Sequence, residues 1–142
     1  MAVEPVPEFL TRDNASRLVA GCDAVLNGLD NIESRKILAA SCGEAGIPYV
    51  FGAIAGWVIQ TGVILPGEPI LDILYPAGSR IPDKSALSFT PAACAAIQSA
   101  QCVCLLVGRP AESGVIRYLD LLNNEFESIP LGSAAIAFTE VL

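Results

Sequence analysis

The residue types in this 142-residue chain limit the chemistry that it can perform. The chain contains no histidine, which excludes Ser–His and Cys–His catalysis within these residues because both need an imidazole base. General acid–base steps would therefore fall to carboxylates, lysine, tyrosine or cysteine. Among the carboxylates, Asp30 stands beside Asn31 directly after a short apolar segment, and either residue can cap a following helix.

The five cysteines show no spacing that is typical of a metal or redox site. None of them forms the C-x-x-C pair that zinc and thioredoxin-like sites favour. We therefore expect them to be small buried apolar residues. Their odd number, without a signal-peptide pattern, predicts a reducing cytoplasmic location. They are Cys22, Cys42, Cys94, Cys102 and Cys104.

The charge balance excludes two classes of partner. The chain has 8 Lys and Arg against 15 Asp and Glu, which gives a formal net charge of -7. A nucleic-acid-binding surface needs a basic face to neutralise phosphates, so we expect no nucleic-acid partner. The same balance argues against adhesion to an anionic membrane.

Two uncharged runs, residues 45–67 and 85–108, are long enough to span a bilayer. Pro48 and Gln60 interrupt the first run, and Gln98 lies within the second. Basic residues do not cluster on one side of either run, so no membrane orientation is specified. A sheet that is buried on both faces produces the same continuous apolar runs. We therefore predict no membrane partner.

The first half of the chain alternates helical and strand patterns. Residues 1–10 fit a short strand or an extended arm, because prolines interrupt their alternation. The elements that follow the arm are a helix at 12–20, a strand at 23–28, a helix at 30–43 and a strand at 49–54. This order of elements is typical of a parallel, doubly wound α/β sheet.

The second half predicts antiparallel strands around one long helix. Residues 57–65 fit one or two strands that turn at Pro66-Gly67, and residues 76–84 form a loop. Pro91 opens a helix that runs to residue 107. Residues 114–122 and 125–131 flank Asn123-Asn124, a strong hairpin signal. The apolar tail 132–142 fits an edge strand or a partner contact.

Taken in order, these segments resemble the C-terminal half of the ThiF/MoeB/HesA family, the bacterial relatives of ubiquitin-activating enzymes. Each motif is weak alone, but the ordered set covers nearly the whole chain, residues 1–142, which we interpret as one domain. The resemblance implies a Rossmann-like mixed sheet, with parallel strands followed by antiparallel strands and helices packed on the faces. The matching segments are residues 26–31 with Arg35, 47–53, 56–67, 96–108 and 118–126.

The resemblance also implies a function. Members of the family use ATP to adenylate the C-terminal glycine of a ubiquitin-like sulfur carrier protein. The family's aspartate at the position of Asp30 helps to hold the magnesium-bound phosphates, and a hard cation does prefer carboxylate oxygen. By the same resemblance, Leu29, Asn31 and Phe9 would contact the nucleotide. The residues themselves allow a plainer interpretation: Asp30 or Asn31 as a helix cap, Arg35 as a solvated or paired helix charge, and Phe9 as a core aromatic.

Three departures from the family pattern restrict that function. No G-x-G-x-x-G phosphate loop occurs in these residues, nor do the family's ATP-binding Arg and Lys. Where many relatives place zinc-binding cysteines, this chain has Ile70 and Ile73, so we predict no structural zinc. The segment that matches the crossover loop, residues 77–88, contains no cysteine.

Three hypotheses remain from the sequence. The chain is part of an adenylating enzyme whose phosphate-binding half is missing here or is supplied separately, and we favour this hypothesis because Asp30-Asn31 is kept. Alternatively, it is a catalytically silent relative that binds a carrier protein or dimerises. The third hypothesis is an unrelated small membrane or scaffold protein. The first two predict a sulfur carrier as the partner, together with a homo-oligomer or a separate N-terminal half.

Overall fold

A computed structural model describes residues 2–81 and 85–131, and these form an α/β structure around one mixed sheet. The predicted tail at 132–142 and part of the loop at 76–84 therefore lie outside the described residues. The elements are α1 (Ala15–Val19), β1 (Val25–Leu26), α2 (Ile32–Ala45), β2 (Tyr49–Ala55), β3 (Val58–Ile64), α3 (Ile70–Leu74), α4 (Phe89–Leu106), β4 (Val115–Asp120) and β5 (Glu125–Pro130).

The five strands are arranged in chain order, β1-β2-β3-β4-β5. Strand β1 runs parallel to β2, with Val25 opposite Tyr49, and α2 makes the connection between them. The later neighbours β2–β3, β3–β4 and β4–β5 are all antiparallel. The structure thus confirms the predicted fold class, in which parallel strands are followed by antiparallel strands.

Helix α2 begins and ends where local chemistry favours its termini. The side-chain oxygen of Asn31 accepts a hydrogen bond from the main-chain N–H of Ser34 at 2.8 Å, so Asn31 caps the helix and Asp30 does not. The helix ends at Gly46, whose φ of 71° is left-handed and suits glycine. The predicted end at residue 43 was short, because Gly43 continues the helix and Gly46 terminates it.

Helices cover both faces of the sheet. Alternate residues of β2, including Tyr49 and Phe51, face a core cluster that also contains Cys42 of α2 and Ile70 of α3. The opposite face of β2 and β3 packs against α4, whose buried residues are Thr90, Cys94 and Gln98. The prediction of helices on the faces is confirmed.

Several local elements differ from the sequence predictions. The first helix is only five residues long, because residues 11–14 form a turn in which the side chain of Asn14 accepts a hydrogen bond from the main-chain N–H of Thr11. The arm at 2–10 is exposed and forms no strand. Helix α3 was not predicted, since five residues are too few to show a helical period. The hairpin is confirmed, with Asn124 at a φ of 56° in its turn.

The two uncharged runs have different structures. Residues 45–67 contain β2 and β3, whose central residues are buried, so this run forms a sheet and not a helix. The second run forms α4, which among the described helices is long and apolar enough to cross a membrane by length and composition alone. In the structure, α4 places polar groups of Thr90 and Gln98 in hydrogen bonds to the sheet region.

Candidate functional site

A cavity of about 520 Å³ lies where β1 ends and beside the second half of β2, in the region between α2 and α4. In α/β folds, ligands bind outside the carboxyl ends of the strands. Its described wall residues are Asn27, Gly28, Leu29, Asp30, Arg35, Gly52, Ala53, Ile54, Ile81, Ser85, Ala86, Pro91, Cys94, Ala95 and Gln98.

The cavity begins where β1 stops pairing with β2. The main-chain N–H of Asn27 still donates to the Val50 oxygen at 3.0 Å, as a parallel strand would. One step further, the side chain of Asn27 donates to the Gly52 oxygen at 2.7 Å. Asn27 therefore replaces the next main-chain hydrogen bond with a side-chain bond, which allows residues 28–30 to leave the sheet.

Gln98, from the middle of α4, closes this junction on the opposite side. Its Nε2 donates to the main-chain oxygens of Asn27 at 2.9 Å and Val50 at 3.1 Å. Its Oε1 accepts from the Cys94 thiol at 3.7 Å. The Asn27 oxygen is buried where the strands separate, and an unpaired carbonyl there would cost about 1–3 kcal/mol. Gln98 thus stabilises the branch point of the two strands.

Gly52 is required by the approach of Gln98. A Cβ built on Gly52 would lie 2.6 Å from both the Nε2 and Oε1 atoms of Gln98. Side-chain atoms at that distance overlap, so any other residue at position 52 must displace the Gln98 amide. Because Gly52 has no side chain, Gln98 of α4 can reach the main-chain carbonyls of Asn27, which follows β1, and of Val50 in β2.

The loop that carries Asp30 is held by its own polar groups. The main-chain N–H of Leu29 donates to the Asn27 Oδ1 at 2.9 Å, forming a local turn. Asp30 is exposed, and its Oδ1 accepts from the Asn31 side chain at 3.2 Å. Within the part of the chain that the structure describes, this is the hydrogen bond that the carboxylate accepts, so it retains most of its capacity to accept further bonds.

Arg35, from α2, holds the same loop that carries Asp30. Its Nε donates to the Leu29 oxygen at 3.0 Å and its Nη1 donates to the Tyr75 hydroxyl at 3.0 Å. The guanidinium carbon lies 6.0 Å from the ring centroids of both Phe51 and Tyr75. The residue is only 4% exposed, so the interpretation of Arg35 as a solvated helix charge was wrong.

Among the described wall residues, Asp30 and Arg35 are the charged ones. Cys94 also lines the cavity, and burial raises the pKa of its thiol to about 11 in spite of the nearby Arg35 charge. At neutral pH this thiol is protonated and is a poor nucleophile. The cavity can therefore offer a carboxylate and a guanidinium to a ligand, but not a thiolate.

The donor set suits a magnesium ion that a ligand brings with it. Magnesium is commonly bound by one or two carboxylates together with substrate phosphates and water. Asp30 could supply such a carboxylate. The described residues contain no group of three or more His, Cys, Asp or Glu side chains that could hold a metal by themselves. Asp30 therefore fits a phosphate-bound magnesium better than a dedicated protein metal site.

The structure places the four predicted site residues differently. Leu29 and Asp30 line the cavity, whereas Asn31 caps α2. Phe9 lies on the exposed arm, is 95% exposed and is not among the wall residues described above, so it is not a core aromatic. Gln98, Gly52 and Asn27 were not predicted as site residues. The signal for Gln98 was weak, because it is one of two glutamines in a largely apolar helix.

A family model described as the ThiF family matches residues 1–136. The chain belongs to the ThiF family. It is 30% identical over 137 residues to the SAMP-activating enzyme E1 of Haloferax volcanii, covering 92% of this chain and 51% of that protein. It is 27% identical over 129 residues to the sulfur carrier protein ThiS adenylyltransferase of Bacillus subtilis, covering 87% of this chain and 38% of that protein.

This ThiF-family chain spans about half the length of the first curated relative that it matches, and less of the second. A solved structure, PaaA in its selenomethionine form, superposes with a TM-score of 0.60 at 15% identity. That likeness covers 89% of this chain and 46% of PaaA, and at this identity it supports the fold alone.

Proposed function

We propose that this ThiF-family chain forms one wall of an ATP site that adenylates the C-terminus of a ubiquitin-like sulfur carrier protein. In this proposal Asp30 binds the magnesium ion that ATP brings, and Leu29 contacts the nucleotide. Asn31 acts through the loop by capping α2. A nucleotide contact by Phe9 would require the exposed arm to close over the bound ligand.

The observation that carries the proposal is the position of Asp30. This exposed carboxylate lines a cavity of about 520 Å³ at the branch point of two parallel strands. Loop 27–30 is held there by hydrogen bonds to α2 and α4 residues, so the carboxylate is pre-positioned. Pre-positioned charge is what adenylyl transfer needs, because its catalysis depends on placing and neutralising phosphate oxygens.

In this proposal the phosphate loop comes from a further polypeptide segment, because these 142 residues contain no G-x-G-x-x-G. We propose that this segment adds next to β1. In the described sheet β1 is an end strand, and Leu26 is 42% exposed. A strand added parallel to β1 would end beside the cavity, which would bring the loop that follows it to the phosphates.

We also propose a cytoplasmic location and self-association or association with that segment. All five cysteines are free thiols, as a reducing compartment requires. The first five residues of strand β2 are buried on both sides of the sheet. The exposed apolar residues lie elsewhere and include Phe126 and Trp57. The Trp57 ring is tilted against that of Phe89, with 4.9 Å between the ring centroids. Sedimentation of detergent-free protein tests the association, and a monomer at high concentration would exclude self-association.

The test is carrier-driven exchange between ATP and pyrophosphate. The coding sequence directly upstream of Met1 is read first for a G-x-G-x-x-G segment, and the chain is assayed alone and together with that segment. We expect exchange only from the completed enzyme. Robust exchange by the isolated chain would refute the need for a second segment. Carrier binding without any exchange in the completed enzyme would favour the silent, carrier-binding relative.

A further inference from the structure

The charge of Arg35 has no anionic partner among the described residues. Three other cations form ion pairs in the structure, namely Arg17 with Glu8, Lys36 with Asp72 and Arg117 with Glu112. Arg35 is more deeply buried than any of these three, and its hydrogen-bonding and ring partners within residues 2–81 and 85–131 are a carbonyl, a phenol and two rings. Burial raises the pKa of the Tyr75 phenol, so that partner is neutral at physiological pH.

This arrangement is costly unless an anion completes it. Buried charges in proteins are generally paired, because neutral hydrogen bonds recover only part of the lost hydration. A guanidinium has five N–H donors, and the two described hydrogen bonds use Nε and Nη1. Three N–H donors of Arg35 therefore remain for a ligand, and Arg35 lines the same cavity as Asp30.

We propose that Arg35 binds a phosphate oxygen of the ligand in this cavity, a role that rests on the proposed function for the identity of that ligand. Guanidinium groups pair well with phosphate because their planar fork matches two of its oxygens. Arg35 would thereby offset the repulsion between phosphate and the nearby Asp30 carboxylate when magnesium is absent. It is a positioning residue for the loop and a direct contact for the ligand.

The experiment follows the arginine Nε–H resonances of the ¹⁵N-labelled chain during titration with inorganic pyrophosphate, without magnesium or carrier. We expect the Arg35 resonance, assigned by its loss in Arg35→Lys, to shift with saturation. The Arg117 resonance serves as the internal control, because that arginine already pairs with Glu112 and lies on β4. An Arg35 resonance that does not respond would overturn the proposal.

Variants separate ligand binding from loop support. Amide shifts of residues 28–30 report affinity, and we expect Arg35→Gln to weaken pyrophosphate binding about 10-fold or more. Arg117→Gln, which removes the same charge, should leave the affinity unchanged. If Arg35→Gln does not fold, Arg35→Lys and Asp30→Asn test the proposal in its place. Arg35→Lys should bind pyrophosphate more weakly. Asp30→Asn should bind it about threefold more tightly, because a carboxylate that repels the ligand is gone. Unchanged affinity in folded Arg35 variants would contradict the inference.

The pyrophosphate titration tests the role of Arg35 separately from adenylyl transfer. Pyrophosphate binding that depends on Arg35, together with no carrier-driven exchange in the completed enzyme, would leave the anion site in place and remove the proposed reaction. Exchange that proceeds normally in a completed Arg35→Lys enzyme, with unaltered KM for ATP, would leave the reaction in place and remove Arg35 from phosphate binding.

Discussion

The side chain of Gln98 occupies the space next to Gly52 where any other residue would place its Cβ. That Cβ would lie 2.6 Å from the Gln98 amide nitrogen, which donates to the main-chain oxygens of Asn27 and Val50. Two residues separated by 46 positions thus determine how β1 and β2 part and how the Asp30 loop leaves the sheet.

Gly52→Ala should destabilise the protein by about 1–3 kcal/mol, because the methyl group overlaps the Gln98 amide and breaks its bonds to the strands. Urea denaturation measures the change in the free energy of unfolding. Gly28→Ala is the matched control: it lies on the same cavity wall, and a Cβ there meets nothing within 4 Å. Equal effects of the two substitutions would contradict the steric role of Gly52.

Gln98→Leu should lower the free energy of unfolding by about 1–3 kcal/mol, since it leaves the buried Asn27 oxygen without a donor. Ser99→Ala, one position along α4, is the control, because Ser99 is exposed and its hydroxyl donates to the Ala95 oxygen within the same helix. Hydrogen exchange of the amides at 28–30 gives a second readout, and it should accelerate in Gln98→Leu alone. An unperturbed loop in that variant would mean that Gln98 does not hold the branch point.

Stability should fall as the pH rises from about 9 to about 11. Burial raises the pKa values of Cys42 and Cys94 to about 11 from an ordinary value of 9.0, so the unfolded chain loses these protons first. Fewer protons on the unfolded state mean a negative slope, at most about 1.4 kcal/mol per pH unit for each thiol. Cys94→Ala should reduce this slope, because it removes one of the two buried thiols. A stability that does not change across this range would refute the predicted shifts.

Much of the fold could be predicted from local patterns. The Asn31 cap, the parallel pair joined by α2 and the hairpin at Asn123-Asn124 each depend on neighbouring residues, which a sequence shows directly. The supports of the site could not be predicted in this way. Gln98 bonds to residues 71 and 48 positions away, and Arg35 bonds to Tyr75 across 40 positions. Their burial and partners follow from the tertiary fold.

The protein should contain far less than one zinc per chain. Ile70 is buried in the core and Ile73 packs against it, so both positions that would carry ligands in many relatives are used for packing. Isoleucine has no lone pair to offer a metal. Elemental analysis of pure protein after dialysis checks this prediction, and a stoichiometric zinc that resists chelation would contradict it.

The most direct measurement is carrier-driven ATP–pyrophosphate exchange by the completed enzyme and its Asp30→Ala form. We expect turnover to fall by about 10² or more, the scale observed when one electrostatic contributor to a transition state is removed. Glu33→Ala is the control, because Glu33 is an exposed carboxylate in the first turn of α2 and does not line the cavity. Asn31→Ala should instead cost about 1 kcal/mol of stability through the lost cap. Unchanged exchange in the Asp30→Ala enzyme would show that Asp30 does not hold the nucleotide's magnesium, and it would contradict the proposed site.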